Sequence, residues 1–332
     1  VKHGTITILS KSHKVEITTL RKDLKTDGRH AEVEYIDNWT LDSERRDFTI
    51  NAIYLDINGK IFDPQMGTVD LKNKNVKFIG DPQKRILEDY LRIIRFLRFK
   101  IFYDFKVEKT TNDAIKQNLD GIKKISKERI LTELFKILQI KNILQINNHK
   151  DIKEIFLMIF PEFLYLKRLE RLNKIYNTSE VDKDLLLAIL LIDEKDNHEY
   201  FTHKYNTSNK IKENLKKLAF DLKKIKRNKD YFYKDLIKNI YLNSKNYLIN
   251  LNLLNFSINS KVREDDCSEI IKRVLKASIP KFHIDGEYLK QNGMEEGEKL
   301  GKVLNILEEE WLSNDFKISK EKVKHLIKSY SN

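Results

Sequence analysis

Residues 88–98 read Glu-Asp-Tyr-Leu-Arg-Ile-Ile-Arg-Phe-Leu-Arg, and this stretch decides how the chain divides. Glu88, Asp89, Arg92, Arg95 and Arg98 carry charge, separated by Tyr90, Leu91, Ile93, Ile94, Phe96 and Leu97. A surface helix segregates its polar and apolar faces at 3.6-residue spacing. Here the charges recur every third residue and spiral across an otherwise apolar helix, so some of them are buried or line a cleft. Asp89 and Arg92 stand at i and i+3 and can touch. An acceptor beside a forked donor can read the Watson–Crick edge of a base, and Arg95 and Arg98 can meet phosphates. A structural ion-pair network in a buried helix has the same spacing, and spacing alone leaves both readings open.

About forty residues upstream, residues 45–52 read Arg-Arg-Asp-Phe-Thr-Ile-Asn-Ala, preceded by Leu41-Asp42-Ser43-Glu44. Asp42 or Ser43 can cap a short helix holding Arg45–Asp47. Asp47 can accept from ribose hydroxyls and Arg46 can hold a triphosphate. Taken by itself, this stretch is better read as a surface charge cluster at a turn. Further upstream, Glu16 sits inside Val15-Glu16-Ile17-Thr18-Thr19. A carboxylate in such a strand is either a solvent-facing residue or a metal ligand.

The two charged stretches flank a change in texture. Gly4, Gly28, Gly59, Gly67, Gly80 and Gly121 punctuate the first third, and no glycine follows until Gly286. That long gap, with few prolines, is the pattern of an all-helical region. Before it, Thr5–Leu9 and Lys14–Leu20 alternate and predict a hairpin. Residues 22–32, with Asp27-Gly28, read as a polar loop. Residues 51–64 read as strand, Asn-Gly turn, strand, Val69–Lys72 as a connector, and Val76–Ile79 as a last short strand. One helix is expected from Gln83 to Phe102. Others follow at Lys109–Asn118, Ser126–Leu138, Ile152–Phe160, Asp184–Leu191, Lys210–Lys226, Tyr231–Ile240, Cys267–Ala277, Gly297–Ser313 and Lys320–Tyr330. Asp182-Lys183-Asp184 precedes one of these helices and reads as its N-cap.

With 63 Lys and Arg against 50 Asp and Glu, the 332 residues carry a formal charge of +13, which makes a polyanion the expected partner. Cys267 is the single cysteine, which excludes an internal disulfide and points to a reducing compartment. No apolar run is long enough to span a bilayer and no signal-peptide pattern opens the chain. A cytoplasmic protein with no membrane partner is expected. The start at Val1 rather than Met points to a further upstream segment.

Taken together, ordered stretches from His3 through Leu138 resemble the class II tRNA nucleotidyltransferases, which are the CCA-adding enzymes and the related bacterial poly(A) polymerases. The matching stretches are His3-Gly4-Thr5, Glu16–Arg21, Arg45–Ala52, Asp63-Pro64, Asp70-Leu71, Gly80-Asp81-Pro82, Glu88–Arg98, and Ile125–Ile130 with Glu133-Leu134. The resemblance implies an α+β chain. An incomplete N-terminal β-containing nucleotidyltransferase head would occupy residues 1–80. A helical neck with a base-template helix would fill 81–140, and a helical body and tail that bind tRNA would fill 141–332. It implies that Arg46, Asp47 and Asn51 recognise ribose and triphosphate. It makes Asp89 and Arg92 the protein template for the incoming base, positioned by Glu88, with Arg95 and Arg98 contacting the nucleotide. Glu16 matches the third acidic residue of the head, a catalytic ligand of Mg²⁺. Residues 126–133 would brace the template helix.

The family's first motif, a Gly-Gly turn followed by Asp-x-Asp, has no match in this chain. Tyr90 stands where many members carry a small residue, and Met66 sits in a turn that is usually Gly-rich. The expected activity is template-independent transfer of nucleotides from CTP and ATP to the tRNA 3′ end, with an Asp-x-Asp segment supplied from elsewhere, a separately encoded head fragment being one candidate partner. The alternatives are a catalytically inactive RNA- or nucleotide-binding remnant and a poly(A) polymerase type of activity.

Overall fold

The computed structural model describes residues 4–10, 13–26, 31–228 and 230–331. His3 and the Asp27-Gly28 pair of the expected loop lie outside these residues. The fold is α+β, with short antiparallel hairpins first and helices thereafter. It separates into two compact units, Val1–Phe220 with Phe256–Ser260, and Asp221–Asn255 with Lys261–Asn332.

The first unit opens on three two-stranded sheets. β1 (Thr5–Leu9) pairs with β2 (Lys14–Thr18), setting Ile6 opposite Ile17 and Thr7 opposite Glu16. Period-2 alternation puts Ile6, Ile8, Val15 and Ile17 on one face, all exposed, and Glu16 on the other. β3 (Arg21–Thr26) pairs with β4 (Ala31–Tyr35). The described residues 22–26 and 31–32 are therefore strand, not the loop their polarity predicts. Cross-strand pairing, which a single-strand reading does not see, overrides that polarity. α1 (Trp39–Glu44) is followed by a 3₁₀ turn at Thr49–Asn51, then β5 (Tyr54–Leu55) and β6 (Ile61–Phe62). The expected strand at Val76–Ile79 is reduced to one bridge between Phe78 and Phe48.

Val69–Lys72 lies within a helix, α2 (Gly67–Lys72), and is not a simple connector. The Asp63 carboxylate starts this helix by accepting from the Gly67 and Thr68 N–H groups at 2.8 Å and from the Thr68 hydroxyl at 2.7 Å. Gly67 meets the 3₁₀ turn so closely that a Cβ there would lie 2.2 Å from the Thr49 carbonyl oxygen. Thr49 Oγ1 donates to Asp70 at 2.6 Å. α2 thereby fixes the turn that carries Asn51.

The expected helix at 83–102 is two helices. α3 (Pro82–Glu88) begins with Asp81 accepting from the Lys84 N–H and Pro82 in the first turn. It stops at Asp89, whose backbone is extended (φ −156°, ψ 106°). α4 (Leu91–Tyr103) then starts afresh, with the Leu91 N–H donating to the Asp89 carboxylate at 3.1 Å. An Asp that bonds its own local backbone competes with helix continuation, which a pattern of apolar spacing does not register. α5 (Lys109–Asn118), a 3₁₀ segment (Leu119–Lys124) and α6 (Lys127–Leu138) complete the packing around α4. Phe48, fully buried, rests on Phe78, Phe96 and Phe99 with ring centroids 4.8, 6.2 and 5.4 Å apart, so the 45–51 segment is anchored on α4.

The remaining helices of this unit are α7 (Gln145–Asn148), α8 (Lys150–Ile159), α9 (Lys167–Asn173), α10 (Lys183–Leu191), α11 (Asn197–Lys204) and α12 (Asn209–Arg227), the last running into the second unit. Asp182 caps α10, accepting from the Asp184 N–H as its spacing predicts. α13 (Leu236–Asn243) and α14 (Lys245–Ile258) follow, then α15 (Glu264–Lys276), α16 (Gly286–Gln291), α17 (Glu298–Ser313) and α18 (Lys320–Ser331). α14 has no counterpart in the sequence expectation because its Leu and Asn residues are mixed around the helix, with no one-sided apolar face. The second unit has its own core of Leu289, Met294, Val303, Leu307, Val323 and Ile327.

Candidate active site

Arg85, on α3, fastens the 45–46 segment to that helix. Its Nη2 donates to the Arg45 and Arg46 carbonyls at 3.0 and 2.6 Å, and its Nη1 pairs with Glu88 at 2.5 Å. Beneath the segment lies Asp42, whose side chain is fully buried. It accepts from Arg45 at 2.6 Å, Arg46 at 3.0 Å and the Tyr54 hydroxyl at 2.8 Å. Burial pushes the Asp42 carboxyl up, but these donors outweigh it and hold the group at about 2. Burial together with the bond to Asp42 pushes the Tyr54 hydroxyl up to about 12. The helix expected over Arg45–Asp47 instead ends at Glu44 and is capped by Asn38. Asp42 acts as a buried anchor for two arginines, a role invisible while its neighbours were known only in sequence.

Asp47 faces α4. It accepts from Arg95 Nε at 2.5 Å, Asn51 Nδ2 at 2.9 Å and the Phe48 N–H at 3.0 Å. Burial raises its pKa, yet the Arg95 charge and these hydrogen bonds outweigh burial and leave it lowered. Arg95 also approaches Glu133 of α6 at 3.7 Å, and Glu133 accepts from Arg98 at 2.8 Å and Lys136 at 2.7 Å. A continuous chain of charges thus joins residues 47, 95, 133 and 98.

Asp89 and Arg92 do not pair with each other. The break at Asp89 turns the two side chains onto different partners. Asp89 accepts from Arg129 Nη2 at 2.7 Å. Arg92 uses one nitrogen, Nη1, for Glu88 at 2.6 Å and for the Arg85 carbonyl at 2.6 Å.

These groups surround a cleft of about 560 Å³. Of the nine residues singled out from sequence, Arg46, Asp47, Asn51, Asp89, Arg92, Arg95 and Arg98 line it. Glu88 stands behind Arg92 and outside the lining. Glu16 lies apart on its exposed hairpin, paired with Lys14 at 2.5 Å. The lining also includes Arg21, Arg45, Leu91 and Arg129, which lie inside the matched stretches but were given no site role, and Phe99, which lies just beyond them. Seven arginines against two aspartates line the cleft. Most of these arginines are paired with carboxylates, several of which lie outside the lining, so the guanidiniums that face the cleft outnumber its own acidic groups and suit it to a polyphosphate.

The residues present do not by themselves compose a Mg²⁺ centre. Glu16 is an isolated carboxylate held by a lysine, and no group of three His, Cys, Asp or Glu able to hold a metal exists among the described residues.

A family model described as the poly A polymerase head domain matches residues 1–77, and one described as the probable RNA and SrmB-binding site of polymerase A matches residues 104–164. The CCA tRNA nucleotidyltransferase 1, mitochondrial, of Homo sapiens is 33% identical over 355 residues, covering 98% of this chain and 75% of that protein. The CCA-adding enzyme of Lactobacillus helveticus is 30% identical over 328 residues, covering 93% and 77%. The crystal structure of the Bacillus stearothermophilus CCA-adding enzyme in complex with CTP shares the fold with a TM-score of 0.68 at 22% identity, over 99% of this chain and 82% of that one. The Thermotoga maritima CCA-adding enzyme complexed with tRNA shares it at 0.55 and 22% identity, over 99% and 80%. A small β head carrying an arginine-rich cleft against helices is the architecture of a nucleotidyltransferase. The chain belongs to the CCA-adding tRNA nucleotidyltransferase and poly(A) polymerase family, and by family it is a tRNA nucleotidyltransferase.

Proposed function

We propose that the cleft binds CTP or ATP and that this chain helps transfer the nucleotide to the 3′ end of tRNA, releasing pyrophosphate. The observation that carries the reading is the convergence of the Arg45–Asn51 and Asp89–Arg98 stretches on one positive cleft. Arg46, Arg95 and Arg98 hold the triphosphate, while Asp47 and Asn51 meet the ribose. Cytosine and adenine each present an exocyclic amino donor beside a ring-nitrogen acceptor. An Asp89 acceptor and an Arg92 donor complement that pair. Uracil and guanine would leave a buried donor or acceptor unmet, at a cost of roughly 1–3 kcal/mol per group. Arg92 is suited to this because its protein bonds run through Nη1 alone. The basic helical remainder holds tRNA by phosphate contacts and shape.

Mg²⁺ belongs to this reading through the family resemblance, with Glu16 one ligand and an Asp-x-Asp pair supplied by polypeptide beyond these residues. Once completed by that pair, the site would hold an ion that would supply positive charge to the triphosphate and the 3′ hydroxyl. The location proposed is a soluble compartment that contains tRNA, the cytoplasm first. No helix among the described residues is long and apolar enough to cross a membrane, and the human relative's name places that protein in mitochondria.

The test is incubation of the purified chain with tRNA lacking its 3′ end, Mg²⁺ and labelled CTP and ATP, with and without a family head fragment carrying Asp-x-Asp. Addition of C and A only with the fragment is the expected result. Addition without it would show that the metal ligands lie within this chain. Failure in both arms with tRNA still bound would favour a non-catalytic binding protein. In the complemented enzyme, Arg92→Ala should abolish base choice while tRNA binding persists. Retained preference for CTP and ATP would sink the template assignment.

A further inference from the structure

The residue after Asp89 is Tyr90, and its ring lies against the backbone of Gly121 in the 3₁₀ segment between α5 and α6. A Cβ built on Gly121 would sit 2.0 Å from two carbons of the Tyr90 ring. Gly121 is buried and its φ is not in the left-handed region. Backbone conformation therefore does not call for glycine here; space for the ring does. The Lys124 amine lies over the same ring, 5.5 Å from its centroid. On the other side of the helix break, Arg129 holds the Asp89 carboxylate at 2.7 Å. The break between α3 and α4 is thus pinned at two adjacent residues by two neighbours, a ring seated on a glycine and a carboxylate seated on a guanidinium.

We infer that Tyr90, seated on Gly121, is a positioning residue that fixes where Asp89 presents its carboxylate and so sets base selection in the cleft. The inference rests on the proposal that Asp89 and Arg92 read the base. Tyr90 touches no substrate in this scheme. It acts by holding the extended backbone at Asp89, where a free helix end would otherwise fray or continue. Carbon atoms in contact need about 3.5 Å, so a methyl group on Gly121 drives the ring back by more than an ångström. Because Tyr90 adjoins Asp89 at the helix break, pushing the ring back shifts the backbone that aims the Asp89 carboxylate.

The experiment measures Kd for CTP, ATP, UTP and GTP, in Mg²⁺, by titration calorimetry on the full chain and its variants. Gly121→Ala should lower the preference for CTP over UTP by about tenfold or more, with tRNA affinity unchanged. Tyr90→Ala should lower it as well, and Tyr90→Phe, which keeps the ring, should retain it. In the Tyr90→Ala background, Gly121→Ala should add nothing, because the clash partner is gone. If Gly121→Ala does not fold, the contrast between Tyr90→Phe and Tyr90→Ala carries the test. Unchanged preference in Tyr90→Ala, or an equal loss from Gly121→Ala with and without the tyrosine, overturns the inference. Arg92→Ala separates the two levels. If it changes base preference while Tyr90→Ala does not, the positioning role alone fails. If neither it nor the parent chain shows any base preference, the template reading fails and the inference falls with it.

Discussion

Asp42 is the residue on which the Arg45-Arg46 pair depends. Its side chain is fully buried and surrounded by donors, and its folded pKa of about 2 lies below the usual 3.8. A depressed carboxylate contributes stability that is complete above the unfolded pKa and is lost as pH falls through the folded one. Stability should therefore decline between about pH 4 and pH 2, with Asp42 contributing on the order of 2 kcal/mol of that decline. Asp47 and Glu133, both lowered, act in the same direction. Chemical denaturation across this range checks it, with Asp42→Asn expected to be less stable at neutral pH and to flatten the acid limb. An acid limb unchanged by Asp42→Asn would mean that the pair is held by other contacts. At this scale the sequence showed which residues carry charge and mistook several partnerships. It expected Asp89 to meet Arg92, and the chain instead gives Asp89 to Arg129 and Arg92 to Glu88. Partners 40 residues away in sequence compete on equal terms with those three away once the chain is folded, because hydrogen-bond energy depends on geometry and not on separation.

Among the elements, the ends of helices are the places where single side chains matter most. α14 ends within reach of Arg171 on α9. Arg171 Nε donates to the Phe256 carbonyl at 2.5 Å and Nη2 to the Asn259 carbonyl at 3.2 Å. The guanidinium carbon also lies 4.2 Å from the centroid of the Phe256 ring. It satisfies carbonyls that a helix C-terminus leaves without intrahelical donors. Arg171→Ala should destabilise the chain by roughly 1–3 kcal/mol, read as a lower midpoint in thermal or urea unfolding, and Arg171→Lys should recover only part of it because a point charge cannot span both acceptors. A midpoint unmoved by Arg171→Ala would show that water replaces the guanidinium at no cost. Element type was largely legible for the amphipathic helices, α5, α6, α12 and α15 among them, because a one-sided apolar face is written in the spacing. It was not legible for α14, whose Leu and Asn residues alternate around the helix, nor for β3 and β4, whose polar residues form strands only because each has the other to pair with.

At the scale of the whole molecule, the +13 charge is the quantity that matters. If tRNA is held through about six phosphates, affinity should drop on the order of a thousandfold between 50 and 200 mM salt. Filter binding across that range checks it, and a flat salt dependence would count against phosphate contacts as the basis of binding. By itself, the sequence determined the division into a strand-rich start and a helical remainder and the sign of the charge, and its motifs, through the family resemblance, pointed to seven residues that line the cleft. Local patterns suffice for these, since backbone preference, apolar period and ordered motifs are properties of neighbours in the chain. The tertiary structure alone decided that Asp42 is a buried anchor, that Arg85 clamps the 45–46 backbone, that the helix expected over 83–102 is broken at Asp89, and that Tyr90 needs a glycine beneath it. Each of these joins residues that are distant in sequence, and which distant groups meet is fixed by how the helices pack.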